Sequence, residues 1–312
     1  MEFSALNALL CPHCGGGFTA PEKWEGALCC ERGHSFDIAR QGYLNLLTGH
    51  GTKFVPDTAA MVAARDAFLD AGHYGPLGDA LASTIRRLLP GPGPHMILDA
   101  GTGTGWYLQQ ILAAFHPETE NSPAGNQDHH WPKGGCENSG GARSPFAVGM
   151  DISKFALRRA ARRNPEALNI VWDLWRALPL GANTADVVLV VFAPRNAKEF
   201  ARVLKPGGTL VVVTPLASHL AEIAQEASLL GIQEDKEAAL NHSLEAHFTP
   251  AGNCELVVPL QLGPADIANV ALMGPAGHHL EAKEASTHLA GLPALSAATA
   301  AFRISTFTAK QN

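Results

Sequence analysis

The chain has 312 residues, of which 46% are hydrophobic and 17% charged, with a net charge of −6. That length suits one large α/β domain with a small appendage, no apolar run approaches the roughly 20 residues of a membrane span, and the acidic balance argues against nonspecific coating of nucleic acid. The opening "MEFSALNALLCPHC" lacks the basic start and apolar core of a secretory signal, so a cytoplasmic location is expected, where grouped cysteines point to metal before disulfide.

Three textures follow one another. Residues 1–50 are rich in Cys, His and Gly, residues 51–94 read as a helical connector and hinge, and residues 95–312 read as an α/β domain. In the first, Cys11 and Cys14 form a C-x2-C knuckle, and Cys30 and His34 form a C-x3-H knuckle fifteen residues on. Three sulfurs and one nitrogen complete a tetrahedral zinc site. Cys29 competes with Cys30, because C-x4-H is also sterically allowed; position gives Cys30 a modest preference. So small a segment is expected to use zinc in place of a core of its own.

The connector, 57–89, has helical spacing broken at "AGHYGP", where Gly72 is a helix stop, and "PGPGP" at 90–94 is a stiff hinge. Beyond it, apolar runs alternate with helical stretches: strand 95–99, helix 106–115, strand 146–151, helix 154–163, strand 185–192, helix 196–204, the turn "KPGG" and strand 209–214. That alternation predicts a parallel sheet with crossover helices. Residues 116–145, rich in Gly, Pro, Asn and Ser, read as a mobile surface insertion, and their Cys136, His129 and His130 as solvated loop residues.

The stretch "LDAGTGTGW" places Asp99, Gly101, Gly103 and Gly105 between a strand and a helix. A chain leaving a buried strand must turn sharply and let its backbone approach a ligand, which side chains would block. A dinucleotide fingerprint spaces its glycines G-x-G-x-x-G; here they fall at every second position, with an acid two residues ahead. This pattern resembles the class I S-adenosylmethionine (SAM)-dependent methyltransferases. Asp151 ends the second strand, where an acid accepts both ribose hydroxyls. Asp173 follows the third, where this class places an acid or amide against the adenine. In "VFAPRN", Pro194 stiffens the substrate-facing end of the fourth strand, and Arg195 is placed to meet a phosphate or base.

Together, "CPHC", "CERGHSFDIARQGYLNLL", "MVAARDAFLDAGHYGPL", "LDAGTGTG", "FAPRN" and "ARVLKPGGTLVVVTP" resemble the large-subunit ribosomal RNA guanine-N1 methyltransferases, in order and along nearly the whole chain. The wording "FAPRN" is similar to the tylosin-resistance branch. The resemblance implies a seven-stranded class I fold behind an N-terminal zinc module that recognises RNA, with zinc on Cys11, Cys14, Cys30 and His34. It implies SAM contacts at Tyr74, Gly105, Trp106 and His219, beside Asp99, Gly101, Gly103, Asp151 and Asp173 from the class pattern. It also implies 23S rRNA as substrate, at the guanosine numbered 748 rather than 745, with tylosin-type resistance following, and a homodimer forming a shared RNA cleft.

Guanine N1 carries a proton at neutral pH, so the site must accept that proton or stabilise the anion. No residue presents itself as the catalytic base; Asp37 and Asp70 are the carboxylates in family-like segments. The arginines of "RRAARR" (158–163) read as either an RNA surface or a solvated helix face. A small-molecule methyltransferase with the zinc segment as a lid, and a non-catalytic zinc-ribbon nucleic-acid-binding protein, are the competing readings.

Overall fold

A computed structural model of the chain describes residues 3–49, 51–91, 93–115, 144–224, 242–278 and 293–310. The expected insertion at 116–145, with Cys136, falls almost wholly outside them. A 3-10 turn over Phe3–Ala8 leads to an antiparallel hairpin, β1 (Gly26–Cys29) and β2 (Ser35–Ile38), and the two-residue strand β3 (Leu44–Asn45). In β2, Phe36 and Ile38 are buried while Ser35 and Asp37 are exposed, the period-two pattern of a half-buried strand.

Helix α1 (Ala59–Asp70) starts at Thr58, whose side chain accepts a hydrogen bond from the Met61 amide, satisfying one of the free donors at a helix start. It ends two residues before Gly72, which sits at φ +83° as the sequence break requires. Helix α2 (Gly75–Leu88) begins with Pro76 in its first turn, where the missing amide costs nothing.

The α/β part runs β4 (Met96–Ala100), α3 (Trp106–Ala113), β5 (Phe146–Asp151), α4 (Lys154–Arg163), β6 (Leu168–Val171), β7 (Ala185–Val191), α5 (Ala197–Val203) and β8 (Leu204–Pro215). Then come β9 (Phe248–Leu262), α6 (Pro264–Met273) and β10 (Ser296–Ala309). The expected turn "KPGG" does not precede the last parallel strand but bulges within it: Ala185 pairs with Leu204, and the register then jumps to Val187 with Thr209. An extra stretch in one strand is absorbed as a bulge while pairing continues on both sides.

The sheet has ten strands in the order β1-β2-β3-β6-β5-β4-β7-β8-β10-β9. Strands β6, β5, β4, β7 and β8 are parallel, and β10 runs antiparallel between β8 and β9. These seven are the expected class I sheet. The other three extend it, because β3 pairs in parallel with β6 through Leu44 with Ile170 and Asn45 with Val171. The strand order reverses between β4 and β7, which makes the carboxyl ends of those strands the place for a ligand.

One face of the sheet packs Leu98, Val148, Ile170 and Val188 with Leu6, Leu9, Leu28 and Phe36. The other packs Ile97, Val187 and Val211 with Leu77, Leu81, Ile85 and Leu108. The N-terminal hairpin therefore buries its apolar face in the same core as the main sheet, and does not depend on metal alone for its interior.

Candidate active site and metal centre

Cys11, Cys14, Cys30 and His34 converge so that their ligand atoms all lie within 4.8 Å of one another. Cys14 Sγ is 3.8 Å from Cys30 Sγ, and His34 Nδ1 is 3.4 Å from Cys30 Sγ and 3.7 Å from Cys11 Sγ. A tetrahedron with Zn–S bonds of about 2.3 Å has edges of about 3.8 Å, so the donor set and its size fit zinc. Burial opposes ionisation of Cys30, but the backbone at Arg32 and His34, the His34 ring and Cys11 outweigh it and lower its thiol to about 6. A thiolate is the form that binds metal. Cys29 is exposed, outside the cluster. His13, inside the first knuckle, stacks on Phe36 and contacts Thr48.

The three loop glycines all have positive φ, for three different reasons. A Cβ on Gly101 would fall 2.2 Å from the Ala193 side chain, where the turn after β7 presses on the loop. A Cβ on Gly105 would meet Asn164 at 2.5 Å and the Ala160 backbone at 3.0 Å, because α4 packs there. Over Gly103 there is open space, with only the Arg65 guanidinium at 4.0 Å. That cradle is where the backbone of a loop admits a ligand.

Acids surround the cradle. The Thr102 hydroxyl donates to Asp99 at 2.7 Å, and burial together with Asp151 pushes the Asp99 carboxyl up to about 7 against that bond. Asp151 accepts from the Gly103 amide at 3.0 Å and the Ser153 amide at 2.8 Å. Burial raises its pKa, opposed by these amides and by Arg65. Asp173 accepts from the Trp175 amide at 3.0 Å and from the Thr52 hydroxyl at 2.8 Å. It lines an open cavity of about 580 Å³ with Lys53, Phe54, Trp175 and Arg176.

Tyr74 and His219, 145 residues apart in sequence, meet at 3.0 Å between Oη and Nε2. The Ala301 amide donates to His219 Nδ1 at 3.1 Å. An imidazole accepting at Nδ1 keeps its proton on Nε2, so His219 donates to the tyrosine oxygen. Burial pushes the Tyr74 phenol well above its usual range, so it stays neutral. Burial also raises Tyr107, Tyr74 adds to that rise, Arg65 opposes it and Asp99 reinforces it. Trp106 is buried at the start of α3 and packs over Gly78.

Sequence reasoning missed several supports. Asn164, fully buried, donates to the Gly105 carbonyl at 2.8 Å and holds the end of the loop. Arg65 bonds Asp57 and the Met273 carbonyl beside the cradle; its signal was an arginine on the mostly buried face of α1. Two of the "RRAARR" arginines are engaged in ion pairs with α1: Arg159 pairs with Asp66, and Arg163 with Asp66 and Asp70. Asp70 is thereby tied to α4, and Asp37 lies exposed on the hairpin, so neither stands at the cradle as a base.

Residues 9–50 match a family model described as "RlmA, N-terminal", a zinc ribbon, and residues 135–212 match one described as "Methyltransferase domain". The chain is 39% identical to the 23S rRNA (guanine(748)-N(1))-methyltransferase of Streptomyces fradiae, over 95% of this chain and 94% of that protein.

This chain belongs to the 23S rRNA guanine-N1 methyltransferase family.

Two further relatives agree with that placement. One from Micromonospora griseorubida, assigned provisionally to the same reaction, is 41% identical over 98% of this chain and 99% of its own. Another, from Bacillus subtilis, is 31% identical over 72% and 69%. As a member of this guanine-N1 methyltransferase family the chain is a SAM-dependent enzyme with a zinc ribbon on Cys11, Cys14, Cys30 and His34. Of the adjacent pair, Cys30 and not Cys29 lies in the cluster. Among the described residues, no helix is long and apolar enough to cross a membrane.

Proposed function

We propose that the chain methylates N1 of the guanosine numbered 748 in 23S rRNA, the reaction named for the Streptomyces fradiae relative. The observation that carries this reading is similarity through zinc ribbon and methyltransferase domain together, over 95% of the chain. A small-molecule methyltransferase has no need of the ribbon, and a purely binding protein has no need of the open glycine cradle.

When bound, SAM supplies a methyl group on a positively charged sulfur, and its transfer to a ring nitrogen needs mainly positioning. Gly103 would leave room for the donor, and Asp99 would supply negative charge for its cationic end. Asp151 would receive the ribose hydroxyls and Asp173 the adenine. Tyr74, neutral and fixed by His219 and packed on Phe68 and Phe302, would form a rigid wall of the pocket. The target base must leave its stack to enter such a pocket. The half-exposed rings of Phe54 and Trp175 lie 6.3 Å apart beside Lys53 and Arg176, a combination suited to bases and phosphates of a splayed RNA loop. The bond from Thr52 to Asp173 ties the segment after the ribbon to the adenine end of the groove. Two copies sharing an RNA cleft complete the arrangement in the cytoplasm, where ribosomes are assembled, and tylosin-type resistance follows from the modified base.

The test is transfer of tritiated methyl to 23S rRNA from a strain lacking the modification, followed by nuclease mapping. N1-methylguanosine at the 748 position is the expected product. Cofactor binding without incorporation into guanine sinks the reading.

A further inference from the structure

The turn after β7, residues 192–196, presents two side chains, Phe192 and Arg195, that the site described above leaves without a role. Phe192 is 46% exposed and takes φ +54°, a left-handed conformation shared among described non-glycine residues only by Asn183 and Leu220. Such backbone strain in a bulky residue persists only where the surroundings impose it. They do: Ala193 is pressed against Gly101 of the cofactor loop. Asn196 donates to the Leu174 and Arg176 carbonyls and accepts from the Glu199 amide. The Phe192 ring lies 5.8 Å from that of Phe302, which in turn packs 4.8 Å from both Tyr74 and His219.

Arg195 is half-buried on the same clamped turn, yet makes no hydrogen bond or ion pair with another described residue. Burial alone acts on it, lowering its pKa. Ala193 and Asn196 on either side are packed or bonded, and a partly desolvated guanidinium with no partner among the described residues costs free energy that folding does not recover. Its five donors in a planar fork suit a rigid acceptor pair on a ligand.

Resting on the guanine-N1 reading above, we propose that this turn is the guanine-recognition element: Phe192 stacks on the unstacked base, and Arg195 donates two N–H bonds to its O6 and N7. That edge is the pair of acceptors which distinguishes guanine from adenine, and using it leaves N1 free. It also makes Arg195 catalytic. The N1 proton passes to water, and the charge left behind is shared between N1 and O6, where a positioned cation stabilises it. The N1 lone pair then forms the bond to the methyl carbon as the carbon–sulfur bond breaks, its electrons remaining on sulfur as a neutral thioether. The net products are N1-methylguanine, S-adenosylhomocysteine and one proton in solvent.

The experiment compares wild type, Arg195→Gln, Arg195→Lys, Phe192→Ala and Phe192→Tyr on the 23S rRNA hairpin. It measures single-turnover rate across pH, RNA affinity by anisotropy with S-adenosylhomocysteine present, and SAM affinity. Arg195→Gln should lose about 100-fold in rate at neutral pH and regain much of it as pH rises toward the ordinary guanine N1 pKa, while SAM affinity is unchanged. Arg195→Lys should fall between. Phe192→Ala should weaken RNA binding about tenfold, with Phe192→Tyr restoring it. An Arg195→Gln profile parallel to wild type, with only RNA affinity reduced, would mean a phosphate contact and overturns the proposal. Equal losses of SAM binding would mean a structural role, and overturn it too. A wild-type enzyme that binds SAM but makes no N1-methylguanosine removes the function reading itself, a result distinct from either.

Discussion

At the scale of single residues, the glycine loop separates two kinds of requirement that a motif merges. Gly105 faces α4 and Gly103 faces open space. Gly105→Ala should therefore destabilise the fold by roughly 2–4 kcal/mol, through overpacking added to left-handed strain, and lower the thermal midpoint. Gly103→Ala should cost only about 1 kcal/mol of stability, yet weaken SAM binding by filling the cradle; calorimetry alongside thermal unfolding separates the two. Asp99 makes a pH prediction. With its carboxyl raised to about 7, it is largely protonated below that pH in the absence of ligand, and a cationic ligand favours its anion. SAM affinity should fall as pH drops from about 8 to about 6, by no more than about tenfold per unit, and Asp99→Asn should remove the dependence. The sign for folding is opposite: the folded state retains a proton that the unfolded chain loses near pH 4, so this group's contribution to stability declines as pH rises from about 4 to about 7 and is lost above that. Residue identity on these points was readable because the spacing of glycines and acids repeats at strand ends. Asn164 was not readable, since a lone asparagine after a helix gives no sign of the carbonyl it will reach across 59 residues.

At the scale of elements, α1 and α4 are held together by Asp66 and Asp70 against Arg159 and Arg163. Arg163 is largely buried between two carboxylates, which raise its pKa against the burial that would lower it. Arg163→Ala leaves Asp66 and Asp70 short of a partner and should cost about 1–3 kcal/mol, seen as a lower denaturation midpoint, with little effect on RNA affinity. A loss of RNA binding at unchanged stability would restore the reading of this helix as an RNA surface. The strands and helices between 57 and 214 were legible from apolar periodicity, and the stop at Gly72 from a single residue, whereas β9, α6 and β10 were not read. The bulge within β8 was not, because "KPGG" reads locally as a turn, and only pairing with β7 draws it into a strand. Nor was the Tyr74–His219 bond, which depends on α2 and the segment after β8 meeting across the sheet.

At the scale of the whole molecule, ribbon and catalytic domain form one sheet. Zinc removal should therefore do more than loosen an appendage. Chelation, or Cys11→Ser, should shift the main cooperative unfolding transition downward, because Leu28 and Phe36 share a core with Leu98 and Val188. It should reduce RNA methylation more than SAM affinity, because the glycine cradle lies on interior strands. An unchanged main transition, measured by calorimetry with and without chelator, would show that the ribbon is energetically separate. A change of texture in the sequence does not reveal whether the next segment pairs with the ribbon.

The contact of β3 with β6 consists of two residue pairs, and it covers the margin of a strand that is buried along its whole length. Without the hairpin, β6 presents unpaired amides and carbonyls beside Leu168 and Ile170, a template on which another chain can continue the sheet. The zinc knuckles thus also guard solubility: metal starvation during synthesis should appear first as aggregation of new chains, before any folded enzyme slows.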